Sequence, residues 1–378
     1  MKLDFERKGE YIMHNPKVKE LLESRKLPQL LQFQDGSPVA SAEDWNQRRE
    51  EILSILSHEV YGDQIPDPLS LLVEVNESED NSYAGKVLEE HLTLSVGLKK
   101  GVFSFPVHFF KPKNVINPMT IVYVAFRSDL PDRYLPLEEI TDQGIAVATF
   151  CYNDVVPDKE DDFTKGLANL LFTDGKREST DPGKIMMWAW AASRVMDYLK
   201  TRDDIDHNNI GVMGHSRLGK TALVAAAYDQ RFTFCFPNDS GCSGDAITRG
   251  KEGERVEPIT RVFPYWFCLN YPKYANKEEE MPFDQHFLIG SIAPRFVCGG
   301  AAVEDTWADP NSQFLGYAAA DEVYQSLGQK GFVHPDRLPE VGDVFHEGSL
   351  GYHLRSGLHF HSRYDWLRYI EFMKKHRR

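Results

Sequence analysis

Residues 210–228 constrain the fold more than any other stretch of the chain. Ile210-Gly211-Val212-Met213 is a short apolar run ending at Gly214, and a helix-forming, alanine-rich segment, residues 221–228, begins just after Ser216. A strand must therefore become a helix within a few residues, with a serine at the bend. Gly214 and Gly219 suit such an elbow because neither carries a Cβ to clash. The bend exposes the serine hydroxyl at the carboxyl end of the strand, and the N–H groups that open the helix are placed to stabilise an oxyanion. The spacing departs from the usual G-x-S-x-G, since Leu218 stands where the second glycine belongs and Gly219 follows it. A serine before a helix is also a common cap, so the bend alone leaves both readings open.

The flanking sequence predicts the rest of an α/β sheet. Residues 120–126 and 144–150 are continuously apolar, as expected of strands covered by helices on both faces. Residues 184–199 read as the helix between the second of these and the elbow strand, and strand, helix, strand in repetition is the signature of a parallel sheet. Upstream, residues 72–76, 86–96 and 103–110 alternate apolar and polar side chains and predict antiparallel strands at one edge. Ser41-Ala42-Glu43-Asp44 opens a scaffold helix that ends at Tyr61-Gly62. Downstream come strands at 232–236 and 293–302, a helix over 314–327, a last strand at 351–355 and a closing helix over 364–376. Residues 242–285 mix charged and aromatic side chains without period and read as an insertion over the strand ends. The fold class is α/β, specifically an α/β-hydrolase fold with a mixed, mostly parallel sheet and helices on both faces. Residues 1–40 are expected to form an N-terminal arm, and residues 41–378 a single catalytic domain.

Composition narrows the partners. A net charge of −14 over 378 residues, with no long basic run, argues against nucleic acid and against an anionic membrane as main partner. No apolar run approaches the roughly 18 residues needed to span a bilayer. The five cysteines, Cys151, Cys235, Cys242, Cys268 and Cys298, are odd in number and lie mostly in apolar surroundings, as buried free thiols do. With no apolar leader in the opening residues, these features point to a cytoplasmic setting.

A serine hydroxyl needs a histidine base, and that base needs a carboxylate; in α/β-hydrolases they follow in the order serine, acid, histidine. His359 is the best-placed base, in a glycine-containing turn between the last strand and the closing helix, with His353 and His361 as near rivals. For the acid, Asp239 and Asp305 both end predicted strands in the right order. Cysteines and histidines show no zinc-type spacing, and Gly299-Gly300 is too short for a phosphate loop, so neither a metal nor an organic cofactor is expected.

Together these blocks resemble the glucuronoyl esterases of carbohydrate esterase family 15, particularly the bacterial branch. Gly214-His-Ser-Arg-Leu-Gly-Lys220 is similar to the family's nucleophile motif, which accounts for the displaced glycine. Asn238-Asp-Ser-Gly-Cys-Ser-Gly244 resembles its acid motif, and Gly253-Glu254 its sugar-contacting glutamate. Residues 283–288 with Ala293-Pro-Arg295 resemble later core blocks, Glu304-Asp-Thr-Trp-Ala-Asp-Pro310 the tryptophan block, and residues 351–359 the histidine block. The resemblance implies a serine esterase cleaving esters of 4-O-methyl-glucuronic acid through an acyl-enzyme. Ser216 would be the nucleophile and His359 the base, with Arg217 adding its side chain to its own backbone N–H at the oxyanion. Lys220, Glu254 and Trp307 would contact the sugar hydroxyls. Family members use the position of Asp239 or that of Asp305 for the acid, and Asp239 ranks first here. The alternatives are an acetylxylan or other carbohydrate esterase of the same fold, and a non-catalytic carbohydrate-binding homologue.

Overall fold

The computed structural model describes residues 17–130, 132–159 and 162–378. The first sixteen residues of the expected N-terminal arm lie outside the described residues. The remainder of that segment is not all irregular: it contains α1 (Val18–Arg25). Val18 N–H donates to Asp336, and Arg25 donates to the carbonyl of Arg249, so this short helix is tied to distant parts of the chain.

The strands are β1 (Ser70–Asn81), β2 (Val87–Leu98), β3 (Gly101–Pro112), β4 (Thr120–Ala125), β5 (Ala146–Cys151), β6 (Ile210–His215), β7 (Phe234–Asn238), β8 (Phe296–Ala302), β9 (Val344–Phe345) and β10 (Leu350–Arg355). Among the described residues they form one ten-stranded sheet in the order β1-β2-β3-β5-β4-β6-β7-β8-β10-β9. β1, β2 and β3 pair antiparallel, as alternation predicts, and β3 joins β5 antiparallel. From β5 to β10 every pairing is parallel. β4, β5, β6, β7 and β10 are buried at every residue, the burial that continuous apolar runs demand. This is the expected α/β-hydrolase fold.

Two strand readings shift. β7 begins two residues later than the sequence predicts and so runs up to Asn238, leaving Asp239 at its immediate end. The short β9, antiparallel to β10, covers an edge that periodicity over two residues cannot reveal.

Six further helices matter for the site. On one face lie α2 (Ala42–Leu56), α3 (Lys184–Leu199), α4 (Arg217–Tyr228) and α5 (Pro310–Ser326). Their apolar sides join Trp45, Trp188, Val195, Leu223 and Phe314 to the larger core cluster. On the other face α6 (Arg363–Lys375) packs Trp366, Tyr369 and Phe372 into a smaller cluster with Phe234 and Phe236. A short helix, Leu137–Asp142, closes the same side through Leu137 and Ile140. No helix among the described residues is long and apolar enough to cross a membrane, and all five cysteines are buried and unpaired.

Trp188 is fully buried and its indole N–H donates to the Val156 carbonyl. Trp188→Ala is expected to lower the unfolding free energy by about 3–5 kcal/mol, read from urea denaturation. An unchanged midpoint would contradict its place in the core.

Candidate active site

Ser216 follows β6 directly and sits at φ 58°, ψ −125°, a positive-φ conformation that a side-chain-bearing residue adopts only under constraint. The constraint is visible: its N–H donates to the Asn238 carbonyl at 2.8 Å, and its own carbonyl accepts from Gly219 at 2.9 Å and Lys220 at 3.2 Å. A Cβ at Gly214 would stand 2.1 Å from the Leu218 carbonyl oxygen, and one at Gly219 would stand 2.9 Å from the Ser240 Cβ. The displaced second glycine is thus where α4 passes the turn after β7. Ser216 is the cap position of α4, so the N–H of Arg217, the first helical residue, has no acceptor within the helix.

β6, β7, β8 and β10 are consecutive neighbours in the sheet. Ser216, Asp239 and Asp305 follow the first three, and His359 lies in the loop after the fourth, so all four residues gather at the carboxyl edge. All line one cleft of about 320 Å3. His359 Nδ1 donates to Asp305 Oδ2 at 2.6 Å. The loops bearing these two are stitched by backbone bonds: Val303 N–H to the Arg355 carbonyl at 2.9 Å and Glu304 N–H to the Gly357 carbonyl at 3.1 Å.

The sequence ranks Asp239 first as the acid, but the carboxylate that accepts the His359 hydrogen bond is that of Asp305. Asp239 is turned inward: its Oδ1 accepts the Ala302 N–H at 3.0 Å, while its Oδ2 is buried without a hydrogen bond, 3.6 Å from Arg355. Side-chain atoms of Asp239, Asp305 and His359 nonetheless lie within 4.8 Å of one another. Burial first, then the carboxylates of Asp305 and Asp365, push the Asp239 carboxyl well above the usual range, against Arg355 and the Ala302 N–H.

The two rival histidines stay out of the cleft. His353 is fully buried and donates through Nε2 to Asp365 at 2.9 Å. His361 is buried against Trp366, ring centroids 5.1 Å apart, and burial lowers its pKa to about 4. His215 is the unexpected neighbour, its ring centroid 4.5 Å from that of His359. Its Nδ1–H donates to Asn238 Oδ1 at 2.7 Å, and burial, with His359 and His361 beside it, holds its pKa far below normal, so it stays neutral.

The polar set expected around a sugar shares the same cleft. Lys220 is buried with Nζ donating to the Ser240 carbonyl, and burial lowers its pKa, opposed first by Glu254. Trp307 is 56% exposed over the cleft, and its carbonyl accepts the Glu254 N–H at 2.9 Å and Lys251 Nζ at 3.0 Å. Gly253 is required there, since a Cβ would stand 2.5 Å from the Trp307 carbonyl oxygen. Arg217 does not project as a free charge. It pairs with the buried carboxylate of Asp158 and lies over the Trp266 ring, 4.7 Å from its centroid. Asp158, Trp266 and Phe263 escaped the sequence reading because they sit in irregular segments with no periodicity. The aromatic run around 263–267 was the one available signal.

Arg355 was missed as well. Its Nε bonds both oxygens of Asp365, at 3.1 and 2.9 Å, and its Nη atoms reach the carbonyls of Ser356, Leu358 and Phe360 on either side of His359. Burial alone would raise the Asp365 carboxyl, but the His353 hydrogen bond and the charges of His353 and Arg355 hold it well below the usual range.

A strained serine elbow on a doubly covered parallel sheet, with a histidine–aspartate pair at the same edge, defines an α/β-hydrolase with the plan of a serine esterase. Comparison with known proteins narrows the class. The family model described as "Glucuronyl esterase, fungi" matches residues 94–328. The carbohydrate esterase MZ0003, from an unknown prokaryotic organism, is 32% identical, over 93% of this chain and 89% of that protein. The 4-O-methyl-glucuronoyl methylesterase of Schizophyllum commune is 30% identical, over 80% of this chain and 74% of that protein. The solved glucuronoyl esterase from Solibacter usitatus superposes with a TM-score of 0.85 at 33% identity, covering 92% of this chain and 97% of that one. The chain belongs to the glucuronoyl esterase family and is a carboxylic-ester hydrolase of the carbohydrate esterase class.

Gly214→Ala is expected to abolish hydrolysis and to lower the yield of folded protein, because the Leu218 carbonyl cannot move without breaking α4. Wild-type turnover in that variant would sink the elbow argument. The depressed Asp365 pKa contributes stability above the unfolded carboxylate pKa near ~4, lost as pH falls through the lower folded value. Asp365→Asn is expected to flatten the acid side of the stability–pH curve. Parallel curves for variant and wild type would refute this.

Proposed function

We propose that the chain hydrolyses esters of 4-O-methyl-glucuronic acid, with Ser216 as nucleophile and His359 as general base. The observation that carries this reading is the sharing of one cleft by the elbow serine, the His359–Asp305 pair and the Lys220, Glu254, Trp307 set. Ser216 Oγ gives its proton to His359 Nε2 as it attacks the ester carbonyl. The resulting oxyanion lies against the Arg217 N–H and side chain, where a preorganised donor is worth ~3 kcal/mol. When the tetrahedral intermediate collapses, the carbon–oxygen bond to the alcohol breaks and the alcohol takes the proton from His359. Water, deprotonated by the same nitrogen, then attacks the acyl-enzyme and releases the uronic acid and Ser216.

Asp305 accepts the Nδ1–H of His359 and stabilises the imidazolium. Asp239 stands behind that pair, held by the Ala302 N–H and beside Arg355, and does not bond His359. Lys220 and Glu254 supply a donor and an acceptor for ring hydroxyls, and Trp307 gives an apolar face for the sugar. This set favours a uronate over an acetyl ester, whose small acyl group would leave it unused. The buried, unpaired cysteines support a reducing, cytoplasmic working location.

Initial rates on benzyl glucuronate, with an acetylated sugar alongside, test the reading. Ser216→Ala is expected to lose roughly 10^5-fold in kcat. Asp305→Asn is expected to lose on the order of 10^3-fold and Asp239→Asn markedly less. Preference for the acetyl ester would reject the substrate, and a larger loss in Asp239→Asn would reject the choice of acid.

A further inference from the structure

Arg217, the residue after Ser216, lines the cleft with a long side chain whose guanidinium is held by hydrogen bonding. The side chain leaves the first residue of α4 and lines the cleft, yet its Nη1 donates to Asp158 Oδ2. The Asp158 carboxylate is only 3% exposed. Its other oxygen accepts the Trp266 indole N–H at 2.7 Å, and Tyr152 OH donates to Oδ2 at 3.1 Å. Burial and then Asp158 push the Tyr152 hydroxyl up, so it remains a donor. The guanidinium is flanked by aromatic rings, with the centroids of Trp266, Phe263 and Phe126 at 4.7, 5.5 and 5.7 Å. Phe263 and Trp266 are themselves stacked, 3.8 Å apart and 2° from parallel.

The segment carrying Asp158 is anchored independently. Lys184, buried at the first turn of α3, donates through Nζ to the carbonyls of Pro157 at 2.8 Å and Lys159 at 3.0 Å, one on each side of Asp158. Asp158 N–H also donates to Asn153 Oδ1 at 2.8 Å. A buried carboxylate held by three hydrogen-bond donors, Arg217, Trp266 and Tyr152, is an expensive group to keep unless it orders something. Among the described residues the one cation that hydrogen-bonds it is Arg217.

We propose that Asp158 is a positioning residue for the esterase reaction: it holds the Arg217 guanidinium beside Ser216 so that this donor is already in place when the oxyanion forms. The pairing consumes Nη1 and partly neutralises the charge, while Nε stays buried with no hydrogen-bond partner. Arg217 therefore acts as an oriented donor, whose rotamer freedom is surrendered on folding instead of at the moment of reaction. Trp266 couples the insertion over the strand ends to the same carboxylate, so the wall of the cleft and the oxyanion donor share one anchor. This rests on the role proposed above for Arg217.

The test is a double-mutant cycle on benzyl glucuronate, with kcat and KM measured separately and thermal melting recorded for each variant. Arg217→Ala establishes whether the side chain matters, and a wild-type kcat there would overturn both its proposed role and this inference. Given a loss in Arg217→Ala, Asp158→Ala is expected to lower kcat about 10- to 100-fold with KM changed by less than about threefold. Adding Asp158→Ala to Arg217→Ala is expected to cost nothing further in kcat. An equal loss in both backgrounds, or a wild-type kcat in Asp158→Ala, would overturn the inference while leaving Arg217 its role. Asp158→Asn, which keeps the shape and the acceptor for Trp266, serves the same cycle if the alanine variant does not fold. Trp266→Phe, which removes one donor to the carboxylate, is expected to lower kcat by a few-fold, again only when Arg217 is present.

Discussion

The buried carboxylate of Asp365 is the interaction on which the reactive edge depends. It opens α6 by accepting from Ser362 through both N–H and Oγ, at 2.8 and 2.7 Å, and it receives His353 and Arg355 on its other sides. Arg355, so oriented, collects three carbonyls from the loop that carries His359. One helix N-terminus therefore sets the shape of the histidine loop, and removal of the carboxylate would strip Arg355 of its bidentate acceptor and His353 of its Nε2 partner. The same Arg355 stands beside Asp239, which links the clasp to the second carboxylate at the end of β7.

The electrostatics of the cleft are quieter than its residue types suggest. Arg217 is paired, Lys220 is desolvated against a carbonyl and Glu254, and His215 and His361 are neutral. The protein is strongly acidic overall, so attraction of an anionic uronate by net charge is not its device. An ester, in which the carboxyl is already neutral, suits such a site. In the proposed reaction, charge develops only on the oxyanion and on the imidazolium, beside Arg217 and Asp305 respectively.

Much of this was legible before any coordinates. Residues 120–126 and 210–213 announce themselves by unbroken apolar runs, and β1 to β3 by alternation, because burial on two faces or on one leaves those signatures in any single sequence. That Ser216 and His359 share one edge of the sheet is readable from their places after strands. The choice between Asp239 and Asp305 was not, because it turns on which way two similar side chains point once Ala302 and Arg355 have made their claims. Asp158 and Arg355 were invisible for a related reason. Their work is to hold another residue still, and the partner lies 59 positions away for Asp158 and 10 for the Arg355–Asp365 pair. α1 was missed because its eight residues bury only Val18 and so carry almost no apolar period.

The backbone stitches between Val303–Glu304 and Arg355–Gly357 join the carboxylate and the imidazole into a single rigid unit rooted in β8 and β10. Glu254, Phe263 and Trp266 hang instead from the long segment after β7, which meets that unit through the Trp307 carbonyl and, at its start, through Asp239 bonded to Gly300 and Ala302. The His359–Asp305 pair and the aromatic wall of Phe263 and Trp266 are thus built on separate segments, whereas Trp307 shares the loop of Asp305 and Lys220 the helix that follows Ser216. Phe263 and Trp266 can therefore be reshaped by substitution without moving the backbone that holds His359 against Asp305.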